Sequence, residues 1–89
     1  MIDYSLSTID IAKNLLGYYL QTNFDNKITG GVITEVECYL NEDKANHFYK
    51  NKHLHNNFKN SPAGTIYLAK IYGRNLCLNI ITKPTLGES

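Results

Sequence analysis

Two carboxylates and a tyrosine, Glu35, Glu37 and Tyr39, follow one another at two-residue spacing within the stretch Ile33–Leu40. Side chains alternate between the two faces of a β-strand, so a strand here would place all three on one face. A carboxylate can take a proton from water, and an aromatic ring beside it can stack on a flat ligand. The spacing therefore predicts a pocket in which a general base and a stacking surface meet the same ligand.

The elements before this stretch are expected to be a helix and a β-hairpin. Ser7 can cap a helix, Asp10 adds an acid to its first turn, and Gly17 can end it. The segments Tyr18–Phe24 and Ile28–Leu40 are predicted to be the two arms of the hairpin. Its expected turn and candidate bulge are Asp25-Asn26-Lys27 and Gly30-Gly31.

The second half of the chain predicts two more strands after a long loop. Glu42–Phe48 is expected to be a short helix that carries His47, and Tyr49–Ala63 lacks periodicity. Strands are predicted at Gly64–Ile71 and Asn75–Ile81, with a frayed tail over Lys83–Ser89. The predicted fold class is α+β, an N-terminal helix followed by a mostly antiparallel sheet, in a single domain spanning residues 1–89.

Length and composition narrow the class of protein. The chain has 89 residues, of which 43% are apolar, enough for one small core. Its two cysteines, Cys38 and Cys77, are far apart in sequence and are expected to be reduced rather than bridged. No apolar run approaches the roughly 20 residues of a membrane span. The N-terminus lacks the regions of a signal peptide, so a cytoplasmic protein is expected.

Charge is distributed unevenly along the chain. Residues 1–43 carry a net charge of −5, whereas residues 44–74 carry +6 with no acid among them. The basic segment also contains all three histidines and five aromatic residues. Basic residues interleaved with aromatics suit a phosphate backbone and stacking bases, which predicts nucleic-acid binding. The alternative is a solvated loop rich in lysine and asparagine.

Several short motifs, taken in order, resemble the alkyladenine (3-methyladenine) DNA glycosylases. The segment from Thr34 to Leu40 is similar to that family's Val-Glu-Thr-Glu-Ala-Tyr signature. Further similar pieces follow in the family's order: Ile11–Gly17 as its opening helix, Glu42–His47, Gly64–Tyr67, Ile71–Gly73 and Leu78-Asn79. The resemblance implies an enzyme that flips an alkylated base out of double-stranded DNA and hydrolyses its glycosidic bond, without a cofactor or metal.

The resemblance also implies a role for each matching residue. Tyr72 would insert into the DNA, Tyr39 and His47 would hold the flipped base, and Asn79 would line the base pocket. Glu37 would activate the attacking water, with Glu35 only in a supporting role. The alternatives for these residues are structural: a surface tyrosine at 72, core packing at 39, a helix-surface histidine at 47, and an asparagine at 79 that satisfies a neighbouring backbone group.

Three features depart from the family pattern. The tail from Lys83 does not resemble the family's continuation, which later carries an Arg that helps to hold the water. The segment between His47 and Gly64 has no Arg and no Met-Phe pair, and Ala69 replaces a second pocket tyrosine. The second hypothesis is therefore an inactive, truncated remnant that at most binds DNA, with a missing C-terminal half. A third is a metal site built from His47, His53, His55 and Cys38.

Overall fold

The computed structural model describes residues 1–43, 56–71 and 75–89. These residues form two antiparallel two-stranded sheets and a short N-terminal helix, which confirms the predicted α+β class. The chain divides into two compact units, Met1–Glu37 and Cys38–Ser89. The elements are α1 (Thr8–Leu15), β1 (Tyr19–Phe24), β2 (Lys27–Val32), β3 (Ile66–Ile71) and β4 (Asn75–Ile80).

Helix α1 begins and ends as its sequence predicts. The Ser7 hydroxyl accepts a hydrogen bond from the backbone N–H of Asp10 at 3.2 Å, which satisfies one of the unpaired donors of the first turn. Thr8, Ile11 and Leu15 lie on the buried side, at the spacing of one helix face. The chain then leaves the helix through Gly17, whose φ of 88° is readily adopted only by glycine.

Strands β1 and β2 form a hairpin closed by a two-residue turn. Asp25 and Asn26 have φ values of 50° and 62°, the left-handed conformation that both positions of a type I′ turn require. Phe24 pairs with Lys27 across the turn, and the register continues to Tyr19 and Val32. Asn and Asp tolerate this conformation better than other non-glycine residues, so the predicted turn is confirmed.

The predicted bulge at Gly30-Gly31 is wrong, and a bulge occurs elsewhere. Gly30 pairs with Gln21 in an unbroken register. Instead, the pairing ends where Gly17 donates a hydrogen bond to the Ile33 carbonyl and the Ile33 N–H donates to Tyr18. Two residues thus face one, with the first a left-handed glycine, which is the arrangement of a G1 bulge.

The hairpin of β3 and β4 begins at the same kind of bulge. Gly64, with φ of 92°, donates to the carbonyl of Ile81, and the N–H of Ile81 donates to Thr65. The two preceding turns also match, because Tyr18 donates to Leu15 and Thr65 donates to Pro62, each three residues back. A turn with glycine as its third residue therefore precedes each hairpin and bends the chain into its first strand.

The prediction that the tail frays is wrong. Lys83 and Glu88 form an isolated bridge, and the N–H of Thr82 donates to the Glu88 carbonyl at 3.0 Å. Gly87 is buried and adopts a φ of 70°, which lets the chain reverse direction within a few residues. The tail therefore satisfies its backbone groups by pairing with itself and with Tyr39, while the Glu88 carboxylate accepts a hydrogen bond from the N–H of Asn41.

Few side chains are fully buried among the described residues. In the first unit Ile11 has no exposed surface and Leu15 is 9% exposed, and in the second unit Ile81 has none. Cys38 and Cys77 are free, as predicted, and half-buried. Within the described ranges, no helix combines the length and apolar character that a membrane crossing requires.

Candidate functional site

The segment that carries the proposed base is not a strand. Residues 33–40 have no regular secondary structure, so the strand predicted as far as Leu40 ends at Val32. The physical reason is the lack of a partner, because the chain opposite Ile33 has already turned into α1 at Gly17. Strand alternation therefore does not determine how the side chains of this segment are directed.

Glu37 is the last residue of the first compact unit. Its side chain is exposed, as is that of Glu35. Val36, between them, is half-buried. An exposed carboxylate is accessible to water, which a general base that activates water requires.

Tyr39 lies in the second unit and is held through its backbone. Its N–H donates to the carbonyl of Ser89 at 2.9 Å, and the N–H of Ser89 donates back at 3.3 Å. The neighbouring Asn41 N–H donates to the carboxylate of Glu88 at 3.2 Å. The side chain of Tyr39 is half-buried. The tail therefore fixes the backbone on which this proposed stacking residue sits.

A cluster that sequence reasoning did not identify lies on the β3–β4 hairpin. We call it the Tyr67 cluster; it comprises Phe58, Tyr67, Asn79 and Ser89. The ring of Tyr67 stacks on that of Phe58, with centroids 5.1 Å apart and planes at 28°. Tyr67 pairs directly with Asn79 across the two strands, so their side chains share one face of the hairpin.

Burial raises the pKa of the Tyr67 phenol above its ordinary value of 10.0. A polar interaction with Ser89 acts in the opposite direction, and the thiol of Cys77 adds a smaller upward effect. The hydroxyl oxygen itself is shielded from solvent. Ser89 thus contacts Tyr67 and also pairs with Tyr39, which connects Tyr39 to the face that carries Asn79.

Asn79 is half-buried, and its side-chain amide donates to the carbonyl of Cys77 at 3.2 Å. The hydrogen bond stays within β4 and satisfies a backbone group, as the structural alternative for this residue predicts. With the amide nitrogen held by Cys77, the side-chain oxygen is left as the group that can accept a further hydrogen bond.

Two of the predicted site residues, His47 and Tyr72, lie outside the described residues. The same applies to the short helix predicted at Glu42–Phe48 beyond Asp43, and to two histidines of the alternative metal site, His53 and His55. Among the residues that the structure does describe, no three His, Cys, Asp or Glu side chains are grouped so as to hold a metal ion.

Only one feature of the Tyr67 cluster could have been predicted from the sequence, namely the face of the strand on which Tyr67 lies. Tyr67 alternates with Ile66 and Leu68 in a strand, so it must face away from both. Its pairing with Asn79 follows only once the register of the hairpin is known. The contributions of Phe58 and Ser89 come from segments that the sequence indicates only as a loop and a tail.

These elements give the chain an α+β fold, and its candidate site combines Asn79 on β4 with the aromatic rings of Phe58 and Tyr67. A family model described as methylpurine-DNA glycosylase matches residues 2–88. The chain therefore belongs to the methylpurine-DNA glycosylase family, which confirms the predicted family. The match reaches residue 88, so the expectation that the tail departs from the family pattern is wrong.

Similar proteins come from bacteria and archaea. A "Putative 3-methyladenine DNA glycosylase" of Francisella tularensis subsp. tularensis (strain WY96-3418) is 44% identical over 85 residues, covering 94% of this chain and 44% of that protein. Proteins with the same description from Methanoculleus marisnigri and Nitrosospira multiformis are 39% identical over 79 residues and 34% over 83 residues. They cover 89% and 93% of this chain, and 41% of each relative.

No solved structure matches the chain. The chain spans less than half the length of the relatives that it matches.

Proposed function

We propose that the chain is part of a 3-methyladenine DNA glycosylase, a repair enzyme that removes alkylated purines from double-stranded DNA. The observation that carries this proposal is the family match over residues 2–88. In this proposal residues 1–89 are a single partial domain. The net charge of +6 over residues 44–74 supports contact with the phosphate backbone.

The reaction begins with extrusion of the damaged base, because its glycosidic bond is inaccessible inside the duplex. Tyr72 fills the gap, and insertion of an aromatic side chain offsets part of an unstacking cost of a few kcal/mol. Tyr39 stacks on the flipped base and His47 donates a hydrogen bond to it. The backbone pairing of Tyr39 with Ser89 supports this role, since a stacking surface needs a fixed position.

Asn79 lines the base pocket from β4. The hydrogen bond from its amide to Cys77 holds the side chain in one orientation, with the oxygen as acceptor. The oxygen and the second N–H of the amide can distinguish bases by the donors and acceptors that they present, and the family resemblance implies discrimination against normal guanine. In this proposal Asn79 contributes to the choice of base.

Glu37 acts as the general base for hydrolysis. It takes a proton from a water molecule while the water oxygen forms a bond to the anomeric carbon of the deoxyribose. The bond from that carbon to the purine nitrogen breaks, and its electron pair neutralises the positive charge of the alkylated purine. The exposure of Glu37 supports access of water to the carboxylate.

The test is release of 3-methyladenine from methylated duplex DNA by the 89-residue chain. Glu37→Gln removes the base while keeping the side chain's shape, so we expect release to fall at least ~100-fold. Glu35→Gln is the matched control: it makes the same change two residues away, and we expect a loss below ~10-fold for a supporting carboxylate. Equal losses in both variants would contradict the assignment of Glu37.

A second candidate is a DNA-binding remnant without turnover. The observation that favours it is length, because the chain covers only 44% of the Francisella relative. In this case neither the wild type nor Glu37→Gln releases a base, yet both shift a duplex probe in low salt. Raising the salt concentration distinguishes electrostatic contact with the DNA backbone from binding at a fixed site. Binding that depends on counterion release weakens steeply as the salt concentration increases.

A further inference from the structure

Contacts connect Tyr67 to two segments that carry proposed base-binding residues. Tyr67 pairs directly with Asn79 across the β3–β4 hairpin, so the two side chains share one face. Its ring stacks on that of Phe58, with centroids 5.1 Å apart. A polar interaction connects Tyr67 to Ser89, whose N–H and carbonyl both pair with Tyr39. All five residues belong to the second compact unit, so one connected set of contacts extends from Asn79 to Tyr39.

The hydroxyl of Tyr67 is the part of the side chain that ring stacking does not explain. A phenylalanine would stack on Phe58 equally well, because stacking needs only the ring. The hydroxyl oxygen is shielded from solvent, and burying a hydroxyl costs free energy unless a polar group compensates. The interaction with Ser89 supplies such a group. The hydroxyl therefore acts on Ser89, while the ring packs on Phe58.

Ser89 is also held by the segment that carries Tyr39. Its backbone exchanges hydrogen bonds with Tyr39 at 2.9 and 3.3 Å, and the carboxylate of the preceding Glu88 accepts from the N–H of Asn41 at 3.2 Å. These three hydrogen bonds connect the tail to residues 39–41. A tail fixed at these points can transmit the position of the Tyr67 hydroxyl to the backbone of Tyr39.

We propose that Tyr67 is a positioning residue of the base pocket, which sets the position of Tyr39 relative to Asn79 and does not itself touch the base. The inference rests on the proposed function, in which Tyr39 stacks on the flipped base and Asn79 contributes to its selection. Such a pocket binds well only when both contacting groups are held close to their productive positions. The hydroxyl of Tyr67 fixes the first group through Ser89, and its ring packs beside the second on one face of the hairpin.

The first measurement is amide hydrogen exchange of the 89-residue chain in concentrated sucrose, which favours the compact state. Tyr67→Phe removes the hydroxyl and keeps the ring, so we expect the amides of Ser89 and Tyr39 to exchange at least ~10-fold faster. The amides of Gly64 and Ile81, which pair at the start of the hairpin, should change less than ~2-fold. This difference distinguishes a local loss of position from a general loss of stability.

Tyr19→Phe is the matched control, since it removes the same hydroxyl group from a tyrosine of the first unit that is 61% exposed. We expect it to leave the exchange of the Ser89 and Tyr39 amides within ~2-fold of the wild type. The proposal is overturned if these two amides are unprotected in the wild type, if Tyr67→Phe leaves their exchange unchanged, or if it accelerates the hairpin amides equally.

The second measurement is release of 3-methyladenine from methylated duplex DNA at increasing DNA concentration. A loss of position weakens binding of the base in the ground state and the transition state alike, so Tyr67→Phe should raise KM at least ~5-fold and change kcat less than ~2-fold. A fall in kcat with unchanged KM would overturn the proposal, because it would place Tyr67 in the chemical step. Faster exchange of the Ser89 and Tyr39 amides without base release by the wild type would support the positioning contact and count instead against the glycosylase assignment.

Discussion

At the scale of single residues, Tyr67 connects several parts of the candidate site. It stacks on Phe58, pairs across the hairpin with Asn79 and interacts with Ser89, whose backbone pairs with Tyr39. Two proposed base-binding residues are therefore connected to one tyrosine to which the family resemblance assigns no role. A half-buried phenol in such a position packs like an apolar ring while its hydroxyl still requires a polar partner.

The raised pKa of Tyr67 gives a prediction for alkaline pH. Because its folded pKa lies above the ordinary value of 10.0, the folded unit disfavours the phenolate. The stability of this unit is therefore undiminished below pH 10 and decreases as pH rises through the folded pKa. Absorbance titration of the phenolate at 295 nm should show one tyrosine that titrates late in buffer and normally in urea.

Tyr67→Phe is the control for this prediction. It keeps the ring that stacks on Phe58 and removes the ionisable hydroxyl, so the late-titrating group should disappear. If the late titration persists in Tyr67→Phe, another tyrosine is responsible and the assignment is wrong.

At the scale of elements, both hairpins begin at a turn whose third residue is a glycine with positive φ. Gly17 and Gly64 each open a bulge, at which Ile33 and Ile81 respectively face two residues. The bulge at Ile33 explains why the segment of Glu37 and Tyr39 is not a strand. The opposing chain has become a helix, and an extended segment without a partner gains no ladder hydrogen bonds.

The two adjacent glycines of β2 should respond differently to substitution. A Cβ on Gly30 would lie 2.6 Å from the carbonyl oxygen of Leu20 and 2.8 Å from both the Cε1 atom and the hydroxyl oxygen of Tyr19. Backbone must move to accept it, so we expect Gly30→Ala to destabilise the hairpin by roughly 1–3 kcal/mol. Cross-strand nuclear Overhauser effects between β1 and β2 should weaken accordingly.

Gly31→Ala is the matched control, because a Cβ there meets no atom within 4 Å. We expect it to keep or strengthen the same cross-strand signals, since alanine loses less backbone entropy than glycine. Equal weakening by both substitutions would show that the Tyr19 ring does not lie over Gly30.

At the scale of the whole chain, the described residues bury little apolar surface. Ile11, Leu15 and Ile81 are the hydrophobic residues that are buried among them, while thirteen large hydrophobic residues are exposed. Net stability is a small difference between large opposing terms, so a core of this size leaves little margin. An isolated two-stranded hairpin is itself marginal in water.

We therefore expect the isolated chain to be poorly soluble or to form a molten state. It should bind a hydrophobic dye and show a broad calorimetric transition, whereas the full-length Francisella relative under the same conditions should melt sharply. A sharp, cooperative transition of the isolated 89-residue chain would contradict this expectation.

The amino-acid sequence by itself determined the local features of this protein. The cap at Ser7, the end of α1 at Gly17 and the turn at Asp25-Asn26 depend on the conformational preferences of neighbouring residues, so each could be predicted. The family could be predicted as well, because ordered short motifs are preserved in the sequence itself.

Only the tertiary structure decided what depends on distant partners. Whether residues 33–40 form a strand depends on the chain opposite Ile33, and the order of the tail depends on its pairing with Tyr39. The Tyr67 cluster joins segments far apart in sequence through a register that alternation does not specify. The physical reason is that hydrogen bonds and side-chain stacking between distant segments form only after the chain has brought those segments together.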